Sequence, residues 1–368
     1  TDAGGGLNLE GAGSLAFECY FTGNSAKHGG GAAIGTNGTM RKCLVAGNKT
    51  SATASSYWAD GWGGGVMCNN SIIESCELYN NTASYGGGIY MREKTSAAYN
   101  CIIAHNTGHQ GGAAAWDNRN GGGKLVNCVI AFNTSGNNVG GGVMFTKDGQ
   151  NVTNCVFWEN KLKSGAVNHF VSYDSGSKKE AEYKYVIQHC AFQGSPDDVD
   201  QLKGENHIAL SLDSTSYFGP LWVPNEDFPG IDKGTLIDGL PTTDFAGNVR
   251  ISGRGIDIGV YESVIVPKPD GDVFYVDKDA TGRMNGSSWV NAFLDIQTAI
   301  NAAKLYNDEN GVHTQIWVAA GTYELTATIS LQSGVSIYGG FDKTEKGIGD
   351  RKVNSLDPWD YANPTILK

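Results

Sequence analysis

One arrangement of apolar and polar positions recurs through the first half of the chain. Cys19, Cys43, Cys76, Cys101, Cys128, Cys155 and Cys190 each open a hexad: CYFTGN, CLVAGN, CELYNN, CIIAHN, CVIAFN, CVFWEN and CAFQGS. Successive copies lie 24, 33, 25, 27, 27 and 35 residues apart. Two residues after each Cys stands an apolar side chain: Phe21, Val45, Leu78, Ile103, Ile130, Phe157 or Phe192. Side chains alternate along a strand with period two, so the Cys and this residue share one face. Asn closes the first six hexads, at Asn24, Asn48, Asn81, Asn106, Asn133 and Asn160. Gly clusters then follow at 29–31, 63–65, 86–88, 111–112 and 140–142, with a single Gly165 in the sixth copy. A short apolar segment comes next, such as Val66–Cys68 or Val143–Phe145.

Each unit therefore reads strand, Asn turn, Gly corner, strand and variable loop. Repeats of this length with two or three short strands and no helical period predict an all-β chain. The expected architecture is a right-handed parallel β-helix, a solenoid whose stacked coils bury one continuous core. With strands about 4.8 Å apart, seven coils make a rod of roughly 34 Å. A column of cysteines fills a narrow core with small apolar side chains. Asn tolerates left-handed turns and can pair amide to amide with the next coil. Gly permits positive φ and close passage of backbones at a corner. Metal binding or disulfides are the competing readings: no Cys-x-x-Cys pair exists and the spacing is that of one coil, although cysteines on adjacent coils lie within the Cα range of a disulfide. Free, inward-packed thiols are expected.

The repeat fades after residue 194. Near the end of the next stretch stands DFAGNVR, followed by GRGIDIGVYE, at residues 244–262. This resembles the closing signature of bacterial surface β-helix proteins of the kind common in Bacteroidetes, related to adhesin-like polymorphic outer-membrane repeats. The resemblance implies that the segment closes the last coil. Residues 263–272, SVIVPKPDGD, read as a linker stiffened by Pro267 and Pro269. A new pattern follows, YVDKDATG…NGSSWVNAFLDIQTAINAA…IWVAAGTYE…SGVSIYGGF, within residues 273–368. Trp289, Phe293, Ile296, Ile300 and Ala303 fall on one helical face, which predicts a helix over about 289–306 with Ser287 or Ser288 as N-cap. This block resembles the opening of the same family, where a short helix caps the solenoid. The predicted organisation is thus coils over 1–194, an acidic terminal coil and closing segment over 195–262, the linker, and an N-terminal cap with first coils over 273–368.

An ending motif before a beginning motif has two readings. Either the chain is part of a tandem array, or residues 273–368 cap the same solenoid. Residue 1 enters Gly-rich sequence without a charged or apolar leader, so a signal peptide is expected to be absent or already removed.

Composition and charge narrow the function. Gly accounts for 52 of 368 residues, twice the usual share of about 7%. So much Gly weakens helices, which argues against a helical bundle. Residues 1–194 carry a net charge of +1 and residues 195–368 one of −12. No basic stripe is present, so nucleic acid is not an expected partner. No apolar run approaches the ~18 residues of a transmembrane helix.

Enzymatic β-helices need converging carboxylates or Lys/Arg on one face. Here Asp60, Glu77, Asp117, Asp148 and Glu159 fall in different coil registers. The candidate ligand surface is instead aromatic: Tyr57, Trp58, Asp60 and Trp62 in the longest insertion, and Trp116, Asp117 and Arg119 nearby. Aromatic rings stack on sugars while Asp and Arg bond hydroxyls; alternatively Trp58 and Trp62 fold back over the solenoid wall. His105, His109 and His169 lie on different coils and suggest no metal site. Asp197, Asp198 and Asp200 could bind Ca²⁺, though an exposed acidic loop explains them as well; no other cofactor is implied. The expected function is that of a non-catalytic surface or secreted β-helix protein, structural or adhesive. Its expected partners are polysaccharides, cell-surface glycans or other surface proteins. The alternatives are a lyase or hydrolase of acidic polysaccharides and a carbohydrate-binding accessory module. An extracellular or outer-membrane location is implied by the resemblance.

Overall fold

The computed structural model describes all residues except 1, 52–60, 118–121, 138–139, 147, 173–184, 195–204, 212–216, 252, 264–266, 268, 326 and 355–359. The chain divides into two compact units, Thr1–Ser263 and Val264–Lys368.

In the first unit every repeat becomes one coil of a parallel β-helix. Its strands pair in parallel with those of the next coil and build four sheets. The first sheet contains Leu7–Leu9, Ala32–Ile34, Val66–Cys68, Ile89–Met91, Ala114–Trp116, Val143–Phe145 and Phe170–Ser172. The second runs from Leu15–Phe17 through Thr39–Arg41, Ile72–Glu74, Ala97–Tyr99, Lys124–Val126 and Asn151–Thr153 to Val186–Gln188. The third starts at Tyr20–Thr22 and holds the strand that follows each Cys. It continues beyond the expected end of the repeat: Ile208–Leu210 pairs with Ala191–Gln193. The fourth sheet, of two- to four-residue strands such as Thr82–Tyr85 and Thr107–Gln110, is additional to the strands read from the repeat. It arises because the residues after each ladder Asn stay extended long enough to pair before the Gly corner.

Alternation decides what lies inside. Cys43, Cys76, Cys101, Cys128, Cys155 and Cys190 belong to the central core, with Val45, Leu78, Ile103, Ile130, Phe157 and Phe192 two residues on. The middle residues of the second sheet, from Ala16 and Met40 to Val152 and Ile187, complete it. The residue before each Cys is left-handed, with φ of 53° at Glu18, 53° at Asn100 and 50° at Asn127. That single residue turns the chain from the second sheet into the third.

The three glycines of a corner answer three different constraints, seen at Gly86 to Gly88. Gly86 has φ +62°. A Cβ on Gly87 would lie 2.4 Å from the Gly112 carbonyl oxygen of the next coil. One on Gly88 would lie 2.7 Å from Ile103 Cγ2 and 3.1 Å from Asn106 Nδ2.

The second unit has its own core. Val273–Val276, Thr314–Ala319 and Val335–Phe341 form a parallel sheet, and Gly321–Tyr323 pairs with Thr365–Leu367. The helix spans Ile296–Asn310 rather than 289–306, and its N-cap is Asp295, not Ser287 or Ser288. Asp295 Oδ1 accepts from Thr298 N at 2.8 Å, while Gly311 ends the helix at φ 68°. The apolar spacing carried the helix too far upstream because Trp289 and Phe293 are also packed in apolar clusters, but from non-helical backbone. Ser288 Oγ accepts from Asn291 N at 3.2 Å in that upstream turn. Ile296, Ala299, Ile300 and Ala303 of the helix pack on Phe274, Ile316 and Val318 of the sheet.

Candidate functional site

Two ladders run along the solenoid interior and explain the repeat chemically. Asn106 Oδ1 accepts from Asn81 N at 2.9 Å and from Asn81 Nδ2 at 3.0 Å. Asn106 in turn donates through N and Nδ2 to Asn133 Oδ1, at 2.9 and 3.1 Å. Its Nδ2 also reaches Leu78 O in the preceding coil at 2.8 Å. The same bonds recur from Asn24 to Asn160. Asn48, Asn81, Asn106, Asn133 and Asn160 are buried, where each amide needs its partners.

The cysteines form the second ladder. Cys155 Sγ lies 3.4 Å from Cys128 N, which donates to it, and itself donates to Thr153 O at 3.3 Å. The same backbone contact joins Cys19 to Cys43 and Cys155 to Cys190. A thiol thus does what an alanine cannot: it accepts the corner amide of the preceding coil. All eight cysteines, Cys68 included, are free. Burial raises the thiols of Cys68, Cys101 and Cys155 above the usual range.

Of the predicted ligand surface, Trp62, Trp116 and Asp117 fall among the described residues. Tyr57, Trp58, Asp60 and Arg119 lie outside the described residues. Trp62 is half-buried, with its ring stacked 4.2 Å from His28 and 5.5 Å from Tyr90. The Arg92 guanidinium lies 5.6 Å from its centre. Trp62 therefore covers the outer wall of the first sheet, where it packs with Met67, Tyr85 and Tyr90. Trp116 points inward as a fully buried core residue and stacks on Phe145 at 5.2 Å. An inward ring cannot meet a sugar, so Trp116 leaves the candidate surface. Its position as last residue of a first-sheet strand places it on the core side, in register with Met91. Asp117 is also buried and pairs with Arg92 at 3.7 Å.

His105 stacks on Phe132 at 4.9 Å, and His169 is buried against Phe157 and Phe192. Asp197, Asp198 and Asp200 lie outside the described residues, among which no group of His, Cys, Asp and Glu is arranged to hold a metal ion.

The closing motif takes a different position from the one its resemblance implied. Residues 228–251 and 253–262 run along the outer wall of the later coils as a strap. Phe228, Ile258, Val260 and Tyr261 pack on Ile102, Val129, Val156 and Trp158, which face outward from the third sheet. The turn residues before the cysteines anchor the strap. Asn100 Nδ2 donates to Thr243 O at 2.9 Å, and Asn154 Nδ2 to Thr235 O at 2.9 Å. Asn127 Nδ2 donates to Asp257 O and Gly259 O, at 2.9 and 3.0 Å.

Four charged residues of the motif, Asp244, Arg250, Asp257 and Glu262, form one buried network, while Arg254 is exposed. Arg250 donates to Asn100 Oδ1 and to Val260 O, and its Nη1 lies 3.7 Å from Glu262 Oε2. Asp244 accepts from Asn248 N and Glu262 N; Asp257 accepts from Asp232 N and Ser263 N. Burial pulls the Arg250 guanidinium down, opposed by Glu262, Asp244 and Asp257, and pushes the Asp257 carboxyl up. The motif is therefore a clasp along the side of the rod. Its sequence signal was the turn column itself: Glu18, Lys42 and Ser75 give way to Asn100, Asn127 and Asn154 where the strap lies.

Where the strap begins to cover the second sheet, a cleft of about 280 Å³ opens. Arg41, Ile72, Glu74 and Tyr99 line its wall side, and Pro241, Thr242 and Thr243 its strap side. Arg41, Glu74 and Tyr99 are the third residues of successive second-sheet strands, aligned in register on the outer face. Arg41 Nη2 donates to Glu74 Oε2 at 2.9 Å. Beyond Tyr99, Ile237 and Leu240 of the strap seal the wall. No sequence pattern joins these residues, because one half of the cleft lies more than 130 positions from the other.

No protein-family model, curated protein or solved structure matches the chain. Among the described residues, no helix is long and apolar enough to cross a membrane.

Proposed function

We propose that this chain belongs to a non-catalytic β-helix protein of the cell surface or the secreted space, a rod that holds glycans or other surface proteins on its outer walls. One observation carries the reading: the cleft at the strap edge. The coil interior is packed with apolar, Cys and Asn side chains, so recognition falls to the outer walls. There the cleft combines a guanidinium, a carboxylate and hydroxyls with the apolar faces of Ile72 and Pro241. Binding sites for small polar ligands combine a few placed polar groups with apolar walls in this way. The resemblance of residues 244–262 and 273–368 to the end and the opening of surface β-helix proteins supports the same class. It also supports a tandem array as the source of their order.

A panel of neutral and acidic polysaccharides, scored for retention and for cleavage together, tests the proposal. Retention without product release is expected. Release of unsaturated or reducing ends from any acidic polysaccharide would replace it with a lyase or hydrolase. Absence of both retention and release across the panel would remove glycans as the partner.

A further inference from the structure

We infer that the strap-edge cleft is a binding site for one pyranose unit of a neutral glycan. This rests on the reading of the chain as a glycan-holding rod and adds the ligand class and the place.

Size comes first. A cleft of about 280 Å³ stands at the lower end of ligand sites, which begin near 300 Å³. It suits a single ring rather than an extended chain buried along its length.

Donors and acceptors come second. The Arg41 side chain is 43% exposed at the cleft, with Nη2 of its guanidinium committed to Glu74 and further N–H donors beside it. Glu74 beside it is an acceptor for a hydroxyl hydrogen. Adjacent sugar hydroxyls, each both donor and acceptor, match this alternation, and Tyr99, Thr242 and Thr243 extend it across the cleft. Ile72 is 39% exposed, an apolar surface for the C–H face of the ring.

Charge comes third. The Arg41 and Glu74 charges cancel at 2.9 Å. The strap side of the cleft belongs to residues 195–262, which hold 4 Lys/Arg and 12 Asp/Glu, a net charge of −8. A uronate would bring a further negative charge to Glu74 with no unpaired cation of the cleft to receive it. The site therefore selects an uncharged ring.

The test uses the full chain and saturation-transfer NMR with methyl glucoside, methyl galactoside, methyl mannoside and glucuronate as probes. At least one neutral glycoside is expected to show transfer, with glucuronate showing none. Arg41→Met and Thr242→Val should each weaken binding about tenfold, the effect of losing one well-placed hydrogen bond. Thr242→Val lies on the strap and keeps the side-chain shape, so it reports even if Arg41→Met disturbs the wall. No transfer to any neutral glycoside, glucuronate binding equal to theirs, or unchanged binding in both variants would overturn the inference. The same variants on the polysaccharide panel separate the two claims. Polysaccharide retention that persists unchanged in both removes the cleft and leaves the glycan-holding rod. Loss of retention in both supports the cleft as the place where the rod binds.

Discussion

Replacing Asn106 by alanine removes the middle rung of the asparagine ladder. Its Oδ1 is the acceptor for both Asn81 N and Asn81 Nδ2, and its Nδ2 donates to Leu78 O and Asn133 Oδ1. Asn81 Nδ2 retains Val45 O, and Asn133 Oδ1 retains Asn106 N, so these two partners are only partly stripped. Asn81 N and Leu78 O each lose a buried bond, and Asn81 N has no water to turn to, since Asn81 is fully buried. At about 1–3 kcal/mol for each buried group left without its partner, the expected loss is about 2–6 kcal/mol. Asn24 supplies the comparison. It donates to Asn48 Oδ1 but sits half-exposed at the first rung. Asn24→Ala should therefore cost less than about 1 kcal/mol, because water replaces what is lost. Urea unfolding followed by circular dichroism measures both. Hydrogen exchange of peptides covering residues 76–110 then localises the effect, with Asn81 N losing protection in Asn106→Ala. An equal cost at the two positions, or a loss below about 1 kcal/mol at Asn106, would refute the claim that the ladder stabilises the stack.

Three further outcomes are expected. Burial pulls the His169 imidazole down to about 4 from an ordinary value of 6.5. Between those two pH values the unfolded chain takes up a proton that the folded chain refuses. Stability should thus fall as pH drops from 6.5 to 4, by on the order of 3 kcal/mol, and level off below 4. In His169→Gln the pH slope of the urea midpoint should flatten across that window; an unchanged slope would assign the acid sensitivity elsewhere. With a thiol reagent in native buffer, Cys19, the half-buried first member of its column, should react well ahead of the seven buried cysteines. Fast labelling of several thiols would contradict the packed column. Asn127→Gly keeps the left-handed turn at φ 50° but removes two donors to the strap. Limited proteolysis within 228–262 should accelerate about tenfold, as expected for the loss of one to two hydrogen bonds. Unchanged cleavage would mean that the apolar contacts of Phe228 and Val260 suffice to hold it.

The coil could be read from the chain because its constraints are local and repeated. Cys, the apolar residue two positions on, the Asn and the Gly corner lie within about a dozen positions, and each copy restates the last. Stacking neighbours in register then follows, since a slip by one residue would turn the core outward. The fourth sheet consists of strands too brief to show a period. Trp116 looked like a surface aromatic because its loop masked its register with Met91.

The strap, the clasp and the cleft depend instead on contacts between distant positions. Arg250 meets Asn100 across 150 residues, and Asn127 meets Asp257 across 130. Nothing within the closing motif states which surface it lies on. Its alternating Ile256, Ile258 and Val260 ask only for an apolar partner, and both a final coil and an outer wall offer one. The wall prevails because Ile102, Val129 and Val156 leave an apolar stripe facing outward, with a column of left-handed asparagines beside it. What the amino-acid sequence determined alone was the repeating coil, since its spacing is set by neighbours along the chain. What only the tertiary structure decided was where the strap lies and, at its edge, which side chains meet across the cleft, because chain segments far apart in sequence come together only after the coils have stacked.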